Sequence, residues 1–151
     1  MRTLERPEYD EIWDAFYARF QFRPGTRGPF PAILEPAGSV TFDLAREHDD
    51  SDIDAFGAAI TRALKACAAP EEEIYYLDWQ HECFAFRPHE DEQRGFNGYP
   101  DGDYAIFLSK DLAYGSFGHP WECTICCFGD EFVRQVRAEK PRLLAAERRR
   151  R

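Results

Sequence analysis

The sequence lacks any apolar run approaching the roughly 20 residues that a membrane-spanning helix requires. Its N-terminus, MRTLERPEYDEIW, also lacks the apolar stretch and small-residue cleavage site of a secretion signal. These two absences predict a cytoplasmic protein without a membrane partner. A chain of 151 residues with 44% hydrophobic and 15% aromatic content can bury a core without a metal or a disulfide. We therefore expect one domain over residues 1–147, followed by a basic tail over residues 148–151.

A paired cysteine framework is also missing. The five cysteines are an odd number without regular spacing, which in a chain without a secretion signal indicates reduced thiols. The stretch GHPWECTICCFG contains a Cys-x-x-Cys pair, but a structural zinc site needs four ligands and no second pair exists. If this stretch is a strand, Cys123 and Cys127 point to one face and Cys126 to the other. We expect core-filling thiols, no metal and no cofactor, with a zinc half-site or a redox pair as the alternatives.

An excess of positive charge is absent as well. The formal net charge is −9, and without the four arginines of Arg148–Arg151 the remaining residues carry −13. Nucleic-acid binding depends on Lys and Arg side chains that release counterions, so we expect no nucleic-acid partner. The terminal arginines are typical of a frayed end, although they could contact an acidic partner. No Gly-x-Ser-x-Gly elbow surrounds Ser109, which disfavours a serine hydrolase.

Apolar residues at helical spacing predict three helices. The first covers residues 6–20 and buries Trp13 and Phe16 on one face. The second begins with Ser51 as its N-cap, and the last is broken at Pro141.

Alternating and aromatic-rich segments predict four strands, at residues 39–45, 74–86, 103–111 and 121–129. The acidic, turn-rich residues 87–102 and the glycine-rich residues 112–120 are predicted to be loops. Three of the strands are consecutive and joined by short loops, which favours an antiparallel meander. The predicted fold class is α+β, with a predominantly antiparallel sheet of about four strands and helices packed on one face.

Ionisable and aromatic side chains in and beside these apolar strands are the candidates for a functional site. Alternation puts Asp78 and His81 on opposite faces of their strand unless a bulge intervenes. Across the sheet, His81 could meet His119 or Glu122, and Asp78 could meet Arg87 or Lys110. Pairing for structure alone is the commoner alternative. The candidate residues are Asp78, Trp79, His81, Arg87, Asp103, Lys110, His119, Trp121 and Glu122.

The segment His-Pro-Trp-Glu lies where the glycine-rich loop enters a strand, a position where scaffolds often present functional side chains. The alternative is local: His119 caps a turn, Trp121 belongs to the core and Glu122 pairs with a lysine.

The segments FQFRPG and FPAILEPAGSVTFDL, YLDWQHECFAF, and PDGDYAIFLSKDLAYGSFGHPWECTICCFG are similar to the domain of unknown function 2716, a family of small bacterial proteins. The resemblance covers residues 13–132. Its most specific motifs are the Asp-Trp-Gln-His, Gly-Asp-Tyr and Gly-His-Pro-Trp-Glu runs. The resemblance implies a compact bacterial cytoplasmic protein, and it transfers no catalytic residues because the family has no established activity.

Two kinds of function fit these observations. The first is a non-enzymatic binding domain for a protein partner or a small ligand, which the acidic body and the lack of a recognisable nucleophile favour. The second is a small enzyme that uses Asp78, His81, His119 and Glu122 for acid–base chemistry. A pocket lined by Trp79, Trp121 and tyrosines would suit a ligand with an apolar or cationic part.

Overall fold

A computed structural model describes residues 1–91 and 96–151. The strands are β1 (Arg2–Thr3), β2 (Val40–Asp43), β3 (Ile74–Asp78), β4 (Phe84–Phe86), β5 (Ala105–Ser109), β6 (Gly115–His119), β7 (Thr124–Phe128) and β8 (Glu147–Arg150). The helices are α1 (Glu8–Phe20), α2 (Asp50–Cys67) and α3 (Asp130–Glu139), followed by a short 3₁₀ helix at Arg142–Leu144. Residues 92–95 of the predicted 87–102 loop lie outside the described residues.

The eight strands of the described residues form one sheet in the order β1-β4-β3-β5-β6-β7-β2-β8, and every neighbouring pair is antiparallel. The α+β class and the antiparallel sheet are therefore confirmed. The prediction of about four strands was wrong. The segment 74–86 is two strands, the glycine-rich loop contains β6, and the short strands β1 and β8 form the two edges.

The segment 74–86 turns because of Asp78. One oxygen of its carboxylate, Oδ1, accepts the backbone N–H groups of Gln80 and His81, both at 3.1 Å. A short side chain that caps its own following backbone in this way offers the chain an alternative to the strand ladder. The chain therefore leaves β3 at Asp78 and returns as β4 at Phe84.

Glycines make β6 a strand rather than a loop. A Cβ atom at Gly115 would lie 2.0 Å from the carbonyl oxygen of Phe107 on the neighbouring strand, with φ at +154°. A Cβ atom at Gly118 would lie 3.1 Å from the carbonyl oxygen of Ala105. The glycines thus permit close backbone approach within the sheet, a role that composition alone does not separate from turn formation.

The sheet is buried on both faces, so the prediction of helices on one face was wrong. One core contains Tyr76 and Phe107 and packs against α2 and α3. The other contains Ile106 and Phe117 and packs against α1 through Trp13 and Phe16, the face predicted for that helix. A sheet covered on both sides needs apolar residues at both alternating positions, as the aromatic-rich strands provide.

The helix ends follow simple chemistry. Asp49, rather than the predicted Ser51, caps α2, where Asp49 and Asp52 each accept the other's backbone N–H in a capping box. The helix α3 ends at Glu139, and its C-cap Lys140 directly precedes Pro141. Among the described residues, no helix is both long enough and apolar enough to cross a membrane.

The C-terminal arginines are not a frayed tail. Residues Glu147–Arg150 form β8, which pairs with β2 so that Arg149 lies opposite Thr41. The backbone N–H of Arg151 also donates to the carbonyl of Ser39 at 3.0 Å. Pairing with β2 and the buried partners of Arg149 described below hold this segment in the fold.

Candidate functional site

Three sequence motifs meet around one buried ring. Tyr104 is fully buried, and its ring centroid lies 5.9 Å from that of Trp79, 5.0 Å from His119 and 5.2 Å from Trp121. Trp79 follows β3 and Tyr104 precedes β5. His119 ends β6 and Trp121 precedes β7. In an antiparallel sheet these four positions lie at one end, so the fold gathers the Asp-Trp-Gln-His, Gly-Asp-Tyr and Gly-His-Pro-Trp-Glu motifs there.

Asp78, His81 and Asp103 form a compact polar group at this end of the sheet. The register pairs Asp78 with Ala105, which brings Asp103 beside the end of β3. The Nδ1 atom of His81 lies 2.8 Å from Oδ1 of Asp78 and 3.7 Å from Oδ2 of Asp103. One ligand atom from each residue falls within 4.8 Å of the others, which is close enough to hold a cation. The Asp78–His81 contact arises because the turn, not a bulge, overrides strand alternation.

The pKa values of Asp103 and His81 are both raised in this group. Burial and the hydrogen bond with the Asp78 carboxyl raise the pKa of Asp103, although the N–H groups of Tyr104 and Gln80 donate to it at 2.7 and 3.0 Å. The hydrogen bond with Asp78 raises the pKa of His81, whose ring is largely exposed. Two carboxyls in contact cannot both ionise easily, so Asp103 retains a proton to higher pH than an isolated aspartate.

An acidic cavity of about 570 Å³ lies beside this group. Its walls come from the start of α2, the end of β3 and the segment before β5. Among the described residues its lining contains five aspartates and no lysine or arginine. The lining residues are His48, Asp49, Asp50, Ile53, Tyr76, Asp78, Phe96, Asn97, Tyr99, Asp101, Asp103, Tyr104 and Ala105.

Tyr76 contributes a polar group to the lining of this cavity. The residue is buried, with 8% of its surface exposed. Burial raises its pKa, and the nearby charges of Asp78 and Asp103 raise it further. The hydroxyl therefore stays protonated and is available to a ligand next to the carboxyl pair.

A second cavity of about 840 Å³ adjoins the acidic cavity. The two share Tyr76, Asp78 and Phe96 as a common wall. The remaining lining residues are Thr3, Leu4, Tyr9, Gln80, His81, Glu82, Cys83 and Phe84.

His119 and Glu122 line neither cavity. His119 is fully buried, and its Nδ1 accepts the backbone N–H of Glu122 at 3.2 Å, while its Nε2 has no partner among the described residues. Burial lowers the pKa of His119 to about 4. Its ring packs edge-on against Phe30 at 4.7 Å between centroids. The histidine is thus a neutral ring in an aromatic core.

A buried ion network accounts for Glu122. Arg149 donates to Glu122 at 2.6 and 3.0 Å and to Glu35 at 2.9 and 3.2 Å, and Thr41 also donates to Glu35. Burial is the largest influence and raises the pKa of each glutamate, but the hydrogen bonds from Arg149 and from Thr41 or Thr124, together with the charge of Arg149, hold both pKa values below their ordinary range. The partner of Glu122 is an arginine from β8 rather than a lysine.

The other candidates lie apart from the carboxyl pair. Lys110 binds Glu73 at 2.8 Å and Arg87 binds Glu90 at 3.0 Å, so neither pairs with Asp78. His81 contacts the two aspartates instead of His119 or Glu122, because it lies in the turn beyond the sheet. The indole N–H of Trp79 donates to the Tyr17 hydroxyl at 3.3 Å.

The sequence reasoning missed the aromatic part of the cavity, above all Tyr76, Phe96 and Tyr99. A signal for Tyr76 was present, because residues 76 and 78 share a face of any strand. Tyr99 and Phe96 come from the turn-rich connection, for which the sequence gives no contact information.

Comparison with known proteins agrees with the motifs. Residues 3–133 match the family model described as Protein of unknown function (DUF2716). The chain is 28% identical over 157 aligned positions to the uncharacterized protein YxiI of Bacillus subtilis (strain 168), covering 93% of this chain and 94% of that protein. No solved structure matches. Because the family model spans most of the chain, the protein belongs to the DUF2716 family, whose function is unknown.

Proposed function

We propose that the protein is a binding domain for a small organic cation, held in the acidic cavity at the Asp78–Asp103 pair. The observation that carries this proposal is the cavity itself, which brings five aspartates and the rings of Tyr76, Phe96 and Tyr99 around one space. A ligand ammonium group can donate to both carboxylates and to the tyrosine oxygen at once.

Charge supports a cation rather than an anion. Five aspartates line the cavity, and the described part of the lining offers no lysine or arginine to neutralise them. A concave site lined by one sign of charge attracts the opposite charge and raises its local concentration. The net charge of −9 acts in the same direction over the whole surface.

The aromatic lining supports an organic cation rather than a bare metal ion. Rings of Tyr76, Tyr99 and Phe96 face the same space as the aspartates, and aromatic faces attract ammonium groups. The carboxylates are also already engaged: Asp103 accepts two backbone N–H groups, and Oδ1 of Asp78 accepts from the turn and from His81. A metal ion would have to displace His81 from Asp78, whereas an ammonium group needs only the remaining lone pairs.

Titration with matched probes tests the proposal. We expect n-butylammonium to bind, with n-butanol and butyrate binding at least tenfold more weakly, as followed by amide chemical shifts and calorimetry. Binding should weaken as pH falls toward the raised pKa of Asp103, because the cation requires both carboxyls ionised.

Two isosteric variants sharpen this test. Asp103→Asn removes the charge and Tyr76→Phe removes only the hydroxyl, and each should weaken n-butylammonium binding, with about tenfold expected for Asp103→Asn. The matched control is Asp54→Asn, an exposed aspartate on α2 that does not line the cavity. Equal affinity for the cation and the alcohol, or equal effects of Asp103→Asn and Asp54→Asn, would refute the proposal.

One observation favours a second candidate, a small enzyme. Asp103 has a raised pKa and contacts Asp78 and His81, which is the arrangement of a general acid with a neighbouring base. Native mass spectrometry of the purified protein would identify a co-purifying compound. Time-dependent conversion of that compound by the native protein, absent with Asp103→Asn, would establish the enzyme, and its unchanged release would support the binding domain.

A further inference from the structure

We infer that the ligand is amphiphilic, with its cationic group in the acidic cavity and an apolar chain in the second cavity. This inference rests on the proposed function and extends it from a charge to a class of molecule. The starting point is that the two cavities have a common wall, made of Tyr76, Asp78 and Phe96. A ligand held at Asp78 is therefore next to both spaces.

A continuous stack of rings connects the two cavities. The rings of Tyr76 and Phe96 are stacked, with centroids 4.3 Å apart and planes inclined by 14°. Phe84 continues the stack against Phe96 at 5.6 Å and 12°. Tyr76 and Phe96 line both cavities, whereas Phe84 lines only the second. The stack thus gives a flat apolar surface that begins beside the carboxyl pair and extends away from it.

The rest of the second cavity suits a hydrocarbon chain. Leu4 and Cys83 are buried residues in its wall, and Phe84 is half-buried. Burial raises the pKa of Cys83, so this thiol is a neutral, apolar group at physiological pH. Among the described residues, the charged groups of this wall are Asp78, His81 and Glu82, and the first two belong to the polar group that holds the cation.

A series of straight-chain alkylammonium ions tests this inference, from ethyl to octyl, at concentrations below micelle formation. Each added methylene should raise affinity about two- to fourfold until the second cavity is filled, since burial of one methylene in apolar surroundings contributes a factor of that size. Corresponding alcohols should show the same increments from a weaker starting affinity. The chain-length increment is the measured quantity.

Variants locate the chain. Phe84→Thr should reduce the increment per methylene. Leu4→Thr, in the same lining, should do the same and replaces Phe84→Thr if that variant fails to fold. The matched control is Leu34→Thr, because Leu34 is 54% exposed and lines neither cavity. Its increment should equal that of the native protein.

The possible results separate the two proposals. Binding of ethylammonium at Asp103 without any gain from longer chains would overturn the amphiphilic ligand and leave the cation site intact. Absence of binding by every alkylammonium would overturn both. A chain-length increment unaffected by Phe84→Thr and Leu4→Thr, in folded variants, would show that the chain lies elsewhere and would overturn the assignment to the second cavity.

Discussion

Replacement of Arg149 by methionine tests whether β8 is an integral part of the fold. The guanidinium makes two hydrogen bonds to Glu35 and two to Glu122, at distances of 2.6 to 3.2 Å. The glutamate side chains are only 1% and 4% exposed, and that of Arg149 is 21% exposed. Methionine retains most of the apolar stem but removes every donor, so two buried carboxylates lose their main counter-charge.

The expected loss is large for a single surface-strand residue. Removal of one partner from a buried ion pair typically destabilises a protein by about 3 to 5 kcal/mol. For a chain of this length, each kcal/mol lowers the melting temperature by about 2 to 4 °C, so Arg149→Met should melt about 6 to 20 °C below the native protein at pH 7. Thermal and urea unfolding followed by circular dichroism measures both quantities.

The pH dependence identifies the carboxylates as the cause. In the native protein the pKa values of Glu35 and Glu122 are lowered. Their contribution to the free energy of unfolding is therefore present above the unfolded-state pKa of about 4.3, and it is lost as pH falls through their folded-state pKa values. In Arg149→Met, burial should instead raise the pKa of Glu122, whereas Glu35 keeps its hydrogen bond from Arg151 at 3.2 Å. The difference between the two proteins should therefore shrink as pH is lowered from 7 to 4.

Arg150→Met is the matched control, since Arg150 lies on the same strand, carries the same charge and is exposed. It should melt close to the native protein, because exposed ion pairs contribute little. The triple variant Arg149→Met, Glu35→Gln, Glu122→Gln should recover part of the loss, because it removes the buried charges. Equal melting of Arg149→Met and Arg150→Met would falsify the buried network.

Three further predictions concern side chains of residues 118–129, the stretch GHPWECTICCFG. His119→Ala should lower the free energy of unfolding by about 1 to 3 kcal/mol, because the backbone N–H of Glu122 loses its acceptor. Thermal melts measure this loss, and an unchanged melt would contradict the structural role of His119. Because the folded-state pKa of His119 is about 4 and the unfolded value about 6.5, its contribution to stability should decline as pH falls from 7 to 5, whereas His119→Asn should show no such decline. A thiol reagent should label the exposed Cys123 rapidly in the native state, while Cys126 and Cys127, which are buried and whose pKa values are raised by burial, should react only on unfolding. Cys123→Ser should remove the fast phase, and its persistence would contradict the assignment.

The helices could be predicted from the sequence because an apolar stripe at helical spacing marks the buried face of a helix, whichever element packs against it. The face of α1 that contains Trp13 and Phe16 is one example. The number of strands could not be predicted, because two features had double meanings. Glycines in β6 permit close backbone contact but are also typical of loops, and Asp78 reads as a strand residue although its carboxylate ends the strand.

The candidate site was predictable in its residue types but not in its pairings. Asp78, His81 and Asp103 were all candidates, yet their meeting depends on the register of β3 against β5 and on the turn after Asp78. Neither is encoded in local periodicity. Arg149 shows the same limit, because a run of four arginines has no alternation of polarity to mark the one that turns inward.

The arginine-rich edge strand also affects how copies of this protein behave at high concentration. A sheet edge with unpaired backbone groups can add strands from another molecule, and this is a common route to aggregation. At one edge the two-residue strand β1 offers very little backbone for such pairing. At the other edge, Arg148 and Arg150 are exposed on β8, so two copies that approached antiparallel along this edge would bring like charges together. The same four residues that complete the sheet therefore also limit its growth, and high salt concentration would weaken this protection by screening the charges.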